Sequence, residues 1–191
     1  NSGIELSISA TPVRTPDVIW DIQGVFATNN NKLVSLANTR GEENFIPVGY
    51  RSSQRHAEGF PLAGYWADEV LYDADGNLLL DDAGRPVLSD TMTYVGPSAP
   101  TREFALTNSV TLFGNLHFYV FMDYKGGHYL FNMSDQTSIN DANHRLANDP
   151  TVSEEEWLIR AHGGNRPFIE KADFIKLREI SVSYDLPSRW V

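Results

Sequence analysis

The chain of 191 residues carries 15 basic and 25 acidic residues, which gives a formal net charge of -10, and it contains no cysteine. The acidic balance disfavours nucleic acid or an anionic membrane surface as a partner, and the lack of cysteine removes disulfide frameworks, thiolate metal sites and cysteine nucleophiles. No stretch approaches the roughly 18 consecutive apolar residues of a membrane helix, and the N-terminal residues lack the charged and apolar regions of a signal peptide.

Two amphipathic strands are predicted at the start of the chain. Residues 3–11 alternate between apolar and polar side chains, and residues 18–28 alternate again after a turn at 12–17 that contains two prolines. This pattern indicates a hairpin. Residues 29–101 then show no sustained period, over a length far beyond that of ordinary loops. Within them, residues 58–90 carry turn residues between short apolar runs, which predicts a small folded excursion.

A second hairpin is predicted around Gly114-Asn115, a dipeptide typical of a tight turn between two strands. The strands on either side are 102–113 and 116–124. Both alternate, and the second carries aromatic residues on both faces. A short connection therefore follows a very long one, as it does at the start of the chain.

The region 125–170 is polar and forms the second long loop of the prediction. Short helices are predicted near 135–147 and 153–161. Ser153 and Glu156 have the spacing of a capping box, in which a serine hydroxyl accepts a hydrogen bond from the third residue of the helix.

The last predicted strand, 172–186, is the longest. Ile175 and Leu177 share one face, and the apolar residues from Ile180 onward share a face whose phase differs by one residue. This jump predicts a β-bulge near Arg178-Glu179. A strand that is apolar on one side and polar on the other over such a length suits a wall between lipid and water.

Two fold classes fit five long antiparallel strands. In a transmembrane β-barrel, strands of about 9–11 residues alternate lipid-facing and lumen-facing side chains, with short turns at one end and long loops at the other. In a soluble extracellular β-sandwich that binds glycan or serves in adhesion, one face packs on a core and the other meets water. Strand length and the aromatic residues near strand ends favour the barrel. These aromatic residues are Trp20, Phe104, Tyr124, Tyr184 and Trp190.

Four segments carry a family resemblance. They are NSGIELSISATPVRTPDVIWDIQGVFATNNNKLVSL, EGFPLAGYWADEVLYDADGN, YVGPSAPTREFALTNSVTLFGNLHFYVFMDYKGG and FIEKADFIKLREISVSYDLP. In this order they resemble the C-terminal third of SusC/RagA-type TonB-linked outer-membrane transporters. The last segment is the most specific, because Lys-Leu-Arg, an alternating Ile-Ser-Val-Ser-Tyr and a closing Leu-Pro match the late-barrel strand of that family.

The resemblance implies an all-β fold, an antiparallel transmembrane section of a 22-stranded, plugged barrel in a bacterial outer membrane. Five strands cannot close such a barrel, so residues 1–191 are predicted to be its late part, with the plug and the C-terminal strands outside the chain. The turns at 12–17 and 114–115 would then be periplasmic, and the loops 29–101 and 125–170 extracellular.

The resemblance also implies partners and cargo. TonB would act through the missing plug region, a SusD-type surface lipoprotein would cover the extracellular side, and outer-membrane lipid would surround the barrel. The imported nutrient would be an oligosaccharide, a peptide or a similar glycan or peptide substrate. No nucleic acid is expected as a partner.

Aromatic side chains in the long loops are the candidates for substrate binding, because a flat apolar ring with a polar tip stacks on sugar rings or peptide side chains. The candidates are Tyr65, Trp66, Tyr129 and Trp157, with Phe60 and Phe131 as further possibilities. The alternative is that these rings pack small cores within the loops themselves.

Charged side chains on the polar strand faces are predicted to face the lumen and to line the solute path. They are Glu5, Asp21, Asp123, Lys176 and Asp185. The alternative is that they only solvate the lumen or contact the plug.

No enzyme, metal or cofactor site is predicted. Asp73-x-Asp75-x-Asn77 begins like a calcium loop, but Leu78 stands where glycine is needed and Gly84 where a bidentate glutamate is needed, so a plain turn is favoured. The five histidines are widely spaced. No nucleophile, phosphate-binding or metallohydrolase motif is present, and a secreted β-rich hydrolase would need paired carboxylates that the spacing does not offer.

Overall fold

A computed structural model describes residues 1–36, 45–140 and 149–187. Its strands are β1 (Glu5–Arg14), β2 (Val18–Thr28), β3 (Phe45–Val48), β4 (Gln54–Ala57), β5 (Gly64–Ala67), β6 (Thr93–Gly96), β7 (Arg102–Leu112), β8 (Leu116–Gly126), β9 (Tyr129–Phe131), β10 (Ile169–Lys171) and β11 (Phe174–Tyr184). Its helices are α1 (Met133–Asn140) and α2 (Glu154–His162), with short 3-10 turns at Tyr50–Ser52 and Arg166–Phe168. No helix among these residues is long and apolar enough to cross a membrane.

The chain divides into two compact units. The first comprises residues 1–30 and 100–127 together with the chain from Asp173 onward, and the second comprises 31–99 and 128–172. The first unit contains the five long strands, and the second contains most of the residues that the pattern assigned to the long loops 29–101 and 125–170.

The first unit is a single antiparallel sheet with the strand order β1-β2-β7-β8-β11. Each long strand pairs with the next long strand along the chain, so the sheet is a meander whose short turns alternate with long excursions. The antiparallel, strand-rich fold expected from the alternation is confirmed.

The first turn is shorter than predicted. Residues 12–14 belong to β1, and only three residues separate Arg14 from Val18. The register shifts between Ala10 and Val13. Proline is tolerated at such an irregularity and on the outer strand of a sheet, because no ladder hydrogen bond has to come from its nitrogen. Pro12 therefore interrupts the alternation without ending the strand.

The predicted bulge in the last strand is confirmed. Leu177 pairs with Met122 and Glu179 pairs with Phe121, so Arg178 is the extra residue of β11. The bulge returns Ile180 to the face that carries Leu177, which explains the jump in the apolar pattern.

Cross-strand pairing aligns the apolar residues of all five strands on one face. Directly paired residues share a face, and the register gives rows such as Phe26–Phe104–Tyr124–Ile175 and Trp20–Val110–Phe118–Val182. Much of this face is exposed: Ile175 is 75% exposed and Val182 is 60% exposed. We call it the apolar face.

Among the described residues of the five long strands, Asn108 has the one amide side chain on the apolar face. It lies between Ile22 and Val120 in the register. Its Oδ1 accepts a hydrogen bond of 3.3 Å from Nε1 of Trp20. The polar group in the middle of the apolar face is therefore paired within the sheet.

The second unit has a small antiparallel sheet of its own, in the order β3-β4-β5-β6, and a two-stranded ladder of β9 and β10. Its buried core consists of Tyr65, Ala67 and Ile169, against which Val95, Tyr129 and Phe131 pack. These strands are three or four residues long. Runs that short do not establish a period in the sequence, which is why the pattern indicated long loops.

The helices lie close to their predicted positions. In α2 the Ser153 hydroxyl accepts a hydrogen bond of 3.1 Å from the Glu156 amide, as the capping pattern predicts. Helix α1 begins two residues earlier than expected. The remainder of the predicted helix, 141–147, lies outside the described residues, as does Trp190.

Residues 70–88 form two small hairpins that repeat every eight residues. Oδ1 of Asp73 accepts from the Asp75 and Asn77 amides, and Oδ1 of Asp81 accepts from the Ala83 and Arg85 amides, each at 2.9 Å. Each carboxylate thus closes its own turn.

Candidate functional site

The polar face of the long sheet collects the charged residues that the pattern assigned to a lumen. Glu5 pairs with Ala27, which pairs with Glu103, and Asp123 pairs with Lys176. Asp21 pairs with Ser109 on the same face, and Asp185 follows the end of β11. The register therefore places Glu5, Asp21, Asp123 and Lys176 on one side of the sheet, opposite the apolar face, and Asp185 contacts His117 of the same side.

Two ion pairs lie on the polar face near the end where the long excursions leave the sheet. Nζ of Lys125 lies 3.0 Å from Oε2 of Glu103. Nε and Nη2 of Arg178 donate to the two carboxylate oxygens of Asp123 at 2.7 and 2.8 Å. The sequence pattern placed Arg178 at a predicted bulge but assigned it no role, because its position opposite Asp123 follows only from the register of β8 and β11.

The middle of the polar face has a shallow depression of about 340 Å³ between β1, β2 and β7. Its polar lining consists of Ser9, Thr11, Asp21, Gln23, Thr107 and Ser109. Oγ1 of Thr11 donates to Oδ1 of Asp21 at 2.6 Å. Hydroxyl, amide and carboxylate groups can exchange hydrogen bonds with the hydroxyl or amide groups of a solute.

His117 links the polar residues at the short-turn end of the sheet. Its Nδ1 lies 3.0 Å from Oγ1 of Thr111, and its Nε2 lies 3.2 Å from Oδ2 of Asp185. Both ring nitrogens thus have partners, which fixes the orientation of the imidazole.

Two of the predicted aromatic residues are used in the core of the second unit. Tyr65 is only 6% exposed, and its hydroxyl accepts a hydrogen bond of 3.3 Å from the Phe131 amide. Tyr129 packs against the same core, and its ring lies directly over Gly96. The geometry of these two rings favours the packing alternative.

Trp66 lies instead in an aromatic triad with Phe60 and Tyr94. The ring centroids are 4.7 Å apart for Phe60 and Trp66 and 5.5 Å apart for Trp66 and Tyr94. Burial raises the pKa of the Tyr94 hydroxyl, with a smaller contribution from Tyr129. Tyr94 was missed because its four-residue strand has no recognisable pattern. Trp157 lies half-buried on α2.

Arg55 stacks beside this triad. Its guanidinium carbon lies 4.1 Å from the centroid of Phe45 and 5.6 Å from that of Trp66. Within the described part of the chain, Nε of Arg55 and Nε1 of Trp66 are buried without a hydrogen-bond partner. Because both donors are enclosed, they are two unsatisfied polar groups within this cluster.

The described residues contain no cluster of three or more histidine, aspartate or glutamate side chains placed to hold a metal ion. At the calcium-like segment, Oδ1 of Asp73 is used by backbone amides, and its Oδ2 accepts from Nδ2 of Asn77 at 3.0 Å.

Comparison with known proteins adds the family context. No family model matches the chain. The TonB-dependent receptor SusC of Bacteroides thetaiotaomicron is 25% identical over 216 aligned residues, which cover all of this chain and 21% of SusC. The solved structure of the RagAB peptide importer in its closed-closed state superposes with a TM-score of 0.72 over 98% of this chain, at 16% identity. The chain resembles a section of a SusC/RagA-type transporter.

The likeness to SusC/RagA-type proteins extends to a second state. The open-open state of the RagAB peptide importer superposes with a TM-score of 0.66 at 14% identity. At such identities, these structures establish the fold of the chain. The chain covers 23% of the chain it matches in the closed-closed structure and about a fifth of SusC.

Proposed function

We propose that the chain is a late section of the barrel of a TonB-dependent SusC/RagA-type importer in a bacterial outer membrane. The exposed apolar face, which runs across all five long strands, carries the proposal. Such a face has to be covered, because large contiguous apolar surfaces mark interaction sites. Lipid covers it in the barrel architecture that the RagAB likeness suggests.

In this proposal the apolar face meets lipid and the polar face meets the lumen. The row Phe26–Phe104–Tyr124 would lie at the outer interface, and Trp20 and Tyr184 near the inner one, as in the aromatic girdles of membrane barrels. The turns at 15–17 and 113–115 would be periplasmic. The second unit would then be extracellular.

The same proposal covers the complete transporter. The strands would belong to a barrel of about 22 strands whose lumen is closed by a plug. TonB would act through that plug, and a SusD-type surface lipoprotein would cover the extracellular side. The likeness of the chain to a protein named as a TonB-dependent receptor and to a chain in the structure of the RagAB peptide importer supports this assignment.

We propose an oligosaccharide or a peptide as the cargo. Glu5, Asp21, Asp123, Lys176 and Asp185 would line its path. Trp66 is the strongest candidate for substrate contact in the second unit, because a polar guanidinium, that of Arg55, and the aromatic rings of the triad both lie next to it. Trp157 stays a candidate, whereas the buried position of Tyr65 and the packing of Tyr129 support structural roles for these two.

Epitope insertion tests the proposed topology in intact cells. One tag is placed at Gly84, the tip of a hairpin in the second unit, and a matched tag at Asn115 in the tight turn. The Gly84 tag should bind antibody on intact cells, and the Asn115 tag only after the outer membrane is permeabilised. Equal labelling of both tags on intact cells would contradict the orientation.

A soluble extracellular β-sandwich is the alternative function, and no observation favours it. A sandwich needs a second sheet packed on the apolar face, whereas residues such as Ile175 and Val182 on that face are exposed. Purification without detergent is a direct test, because a sandwich should remain monodisperse and a barrel section should aggregate.

A further inference from the structure

A pocket of about 270 Å³ lies in the second unit, between the 3-10 turn Tyr50–Ser52, α1 and the end of α2. Its polar lining consists of Arg51, Gln136, Arg160 and His162, and its apolar lining includes Ile139 and Phe168. No carboxylate belongs to the lining among the described residues. The polar side chains that face the pocket are thus rich in hydrogen-bond donors.

Arg160 already forms ion pairs with two carboxylates. Its Nη1 lies 2.7 Å from Oδ2 of Asp135 and 3.7 Å from Oε1 of Glu170. These two carboxylates hold the guanidinium in place and more than balance its single positive charge. Arg160 therefore contributes a fixed donor to the pocket, and the uncompensated positive charge has to come from elsewhere.

Arg51 supplies that charge. Within the described ranges it forms no ion pair, and its guanidinium carbon lies 5.3 Å from the ring centroid of Tyr50. Its backbone is left-handed, with φ 50° and ψ 36°, and Ser52 follows with φ 56°. Successive left-handed residues other than glycine are uncommon, and strain of this kind is retained where the surroundings fix a conformation that function requires.

Two side chains of the pocket lining are buried. Phe168 is 2% exposed, and Gln136 is 6% exposed with its Nε2 donating to Oδ1 of Asn165 at 3.2 Å. A preformed pocket with an apolar wall and converging donors loses little entropy when a ligand binds.

We propose that this pocket binds a carboxylate-bearing end group of about the size of one amino-acid residue or one sugar acid. The carboxylate would pair with Arg51 and accept a hydrogen bond from Arg160 or His162, and the remainder of the group would contact Ile139 and Phe168. Arginine is suited to this role because its planar guanidinium binds both oxygens of a carboxylate. A carboxylate is present both at a peptide C-terminus and in an acidic sugar.

Calorimetric titration of the complete protein in detergent tests the inference with two matched pairs of probes. Acetyl-dialanine is compared with its C-terminal amide, and glucuronate is compared with glucose. At least one acid should bind about tenfold or more tightly than its neutral counterpart, because a hydrogen bond to a charged group contributes more than a neutral one. The pair that shows the difference identifies the source of the carboxylate. Equal binding within both pairs would overturn the proposal.

The Arg51→Asn variant tests the residue itself, since asparagine tolerates the left-handed backbone but carries no charge. It should weaken the preferred acid about tenfold and leave the neutral counterpart unchanged. Arg85→Asn is the control, because Arg85 pairs with Asp81 in a hairpin of the same unit at 3.1 Å. An unchanged affinity in Arg51→Asn, or an equal loss in both variants, would overturn the assignment. The probe comparison needs no substitution, so the inference stays testable if Arg51→Asn fails to fold. Binding is measured without transport, so its failure leaves the proposed import function standing.

Discussion

Arg178 and Asp123 form a two-pronged ion pair across the β8–β11 ladder, and Arg178 is the extra residue of the β-bulge. Without the bulge, simple alternation after Leu177 would place Glu179 on the apolar face instead of Ile180. The bulge therefore serves both faces of the sheet, because it keeps Ile180 on the apolar face and adds an arginine to the polar face.

Arg178→Lys should lower the urea midpoint of unfolding more than Lys125→Arg does. Lysine cannot reproduce the two parallel hydrogen bonds that the guanidinium makes with Asp123, whereas arginine at 125 can still reach Glu103. Side chains at both sites are partly exposed, so the effects are modest.

A double-mutant cycle checks that the pair acts as a unit. Arg178→Gln and Asp123→Asn together should cost less than the sum of the two single changes. Strict additivity would show that the two side chains do not stabilise each other.

Asn77→Ala should raise the pKa of Asp73 more than Arg85→Ala raises the pKa of Asp81. The side-chain hydrogen bond from Asn77 is the largest cause of the lowered pKa of Asp73. The largest cause at Asp81 is the backbone amide of Arg85, which survives substitution by alanine. NMR titration of carboxyl-labelled aspartate measures both pKa values.

The same shifts predict how the hairpins respond to acid. Both pKa values are lower in the folded chain, so their stabilising contribution is present above the unfolded pKa of about 3.9 and is lost as the pH falls through the folded pKa. The hairpins should therefore become more sensitive to protease only at strongly acidic pH. Greater sensitivity at neutral pH than at acidic pH would contradict this sign.

Gly96→Ala should destabilise the second unit by about 1–3 kcal/mol, as overpacking typically does. A Cβ at this position would collide with the ring of Tyr129. Gly24→Ala is the control, because its Cβ would meet only Cε2 of Phe104, at an ordinary 3.8 Å. Urea titration measures the change in the free energy of unfolding.

Removing the ring of Tyr129 tests whether its collision with the added Cβ causes the loss of stability. In the Tyr129→Ala background the further change Gly96→Ala should cost much less, because the collision is gone. An undiminished cost would assign the effect to the backbone of β6 instead.

On the apolar face, the free-energy cost of an arginine substitution should depend on how deep the residue would lie in the bilayer. Val120 is in the middle row with Asn108, and Leu116 is in the last row with Tyr184. In the proposed barrel, Val120→Arg should cost about 2–4 kcal/mol and Leu116→Arg about 0–1 kcal/mol. Folding of the complete barrel into lipid vesicles at graded urea concentrations measures both.

Ser181→Arg is the matched control on the polar face of β11. It should cost less than Val120→Arg, since the proposed lumen is hydrated. Equal costs at Val120 and Leu116 would argue against lipid on this face.

The placement of the polar-face residues could be predicted because they lie on long strands. Glu5, Asp21 and Lys176 could be placed on one face because alternation over ten or eleven residues fixes the side of the sheet. Arg178 could be placed at a bulge, but its partner could not be found, because the pairing depends on the register between two residues that are 55 positions apart in the chain.

The sequence by itself determined the five long strands, the bulge and the separation of an apolar from a polar face, since each follows from the local order of side chains. Tertiary structure decided everything that depends on distant segments. It placed Tyr65 in a core, joined Phe60, Trp66 and Tyr94, and brought Arg51 to a pocket with Arg160. These contacts join short elements that have no period of their own, so only the folded chain could bring their residues together.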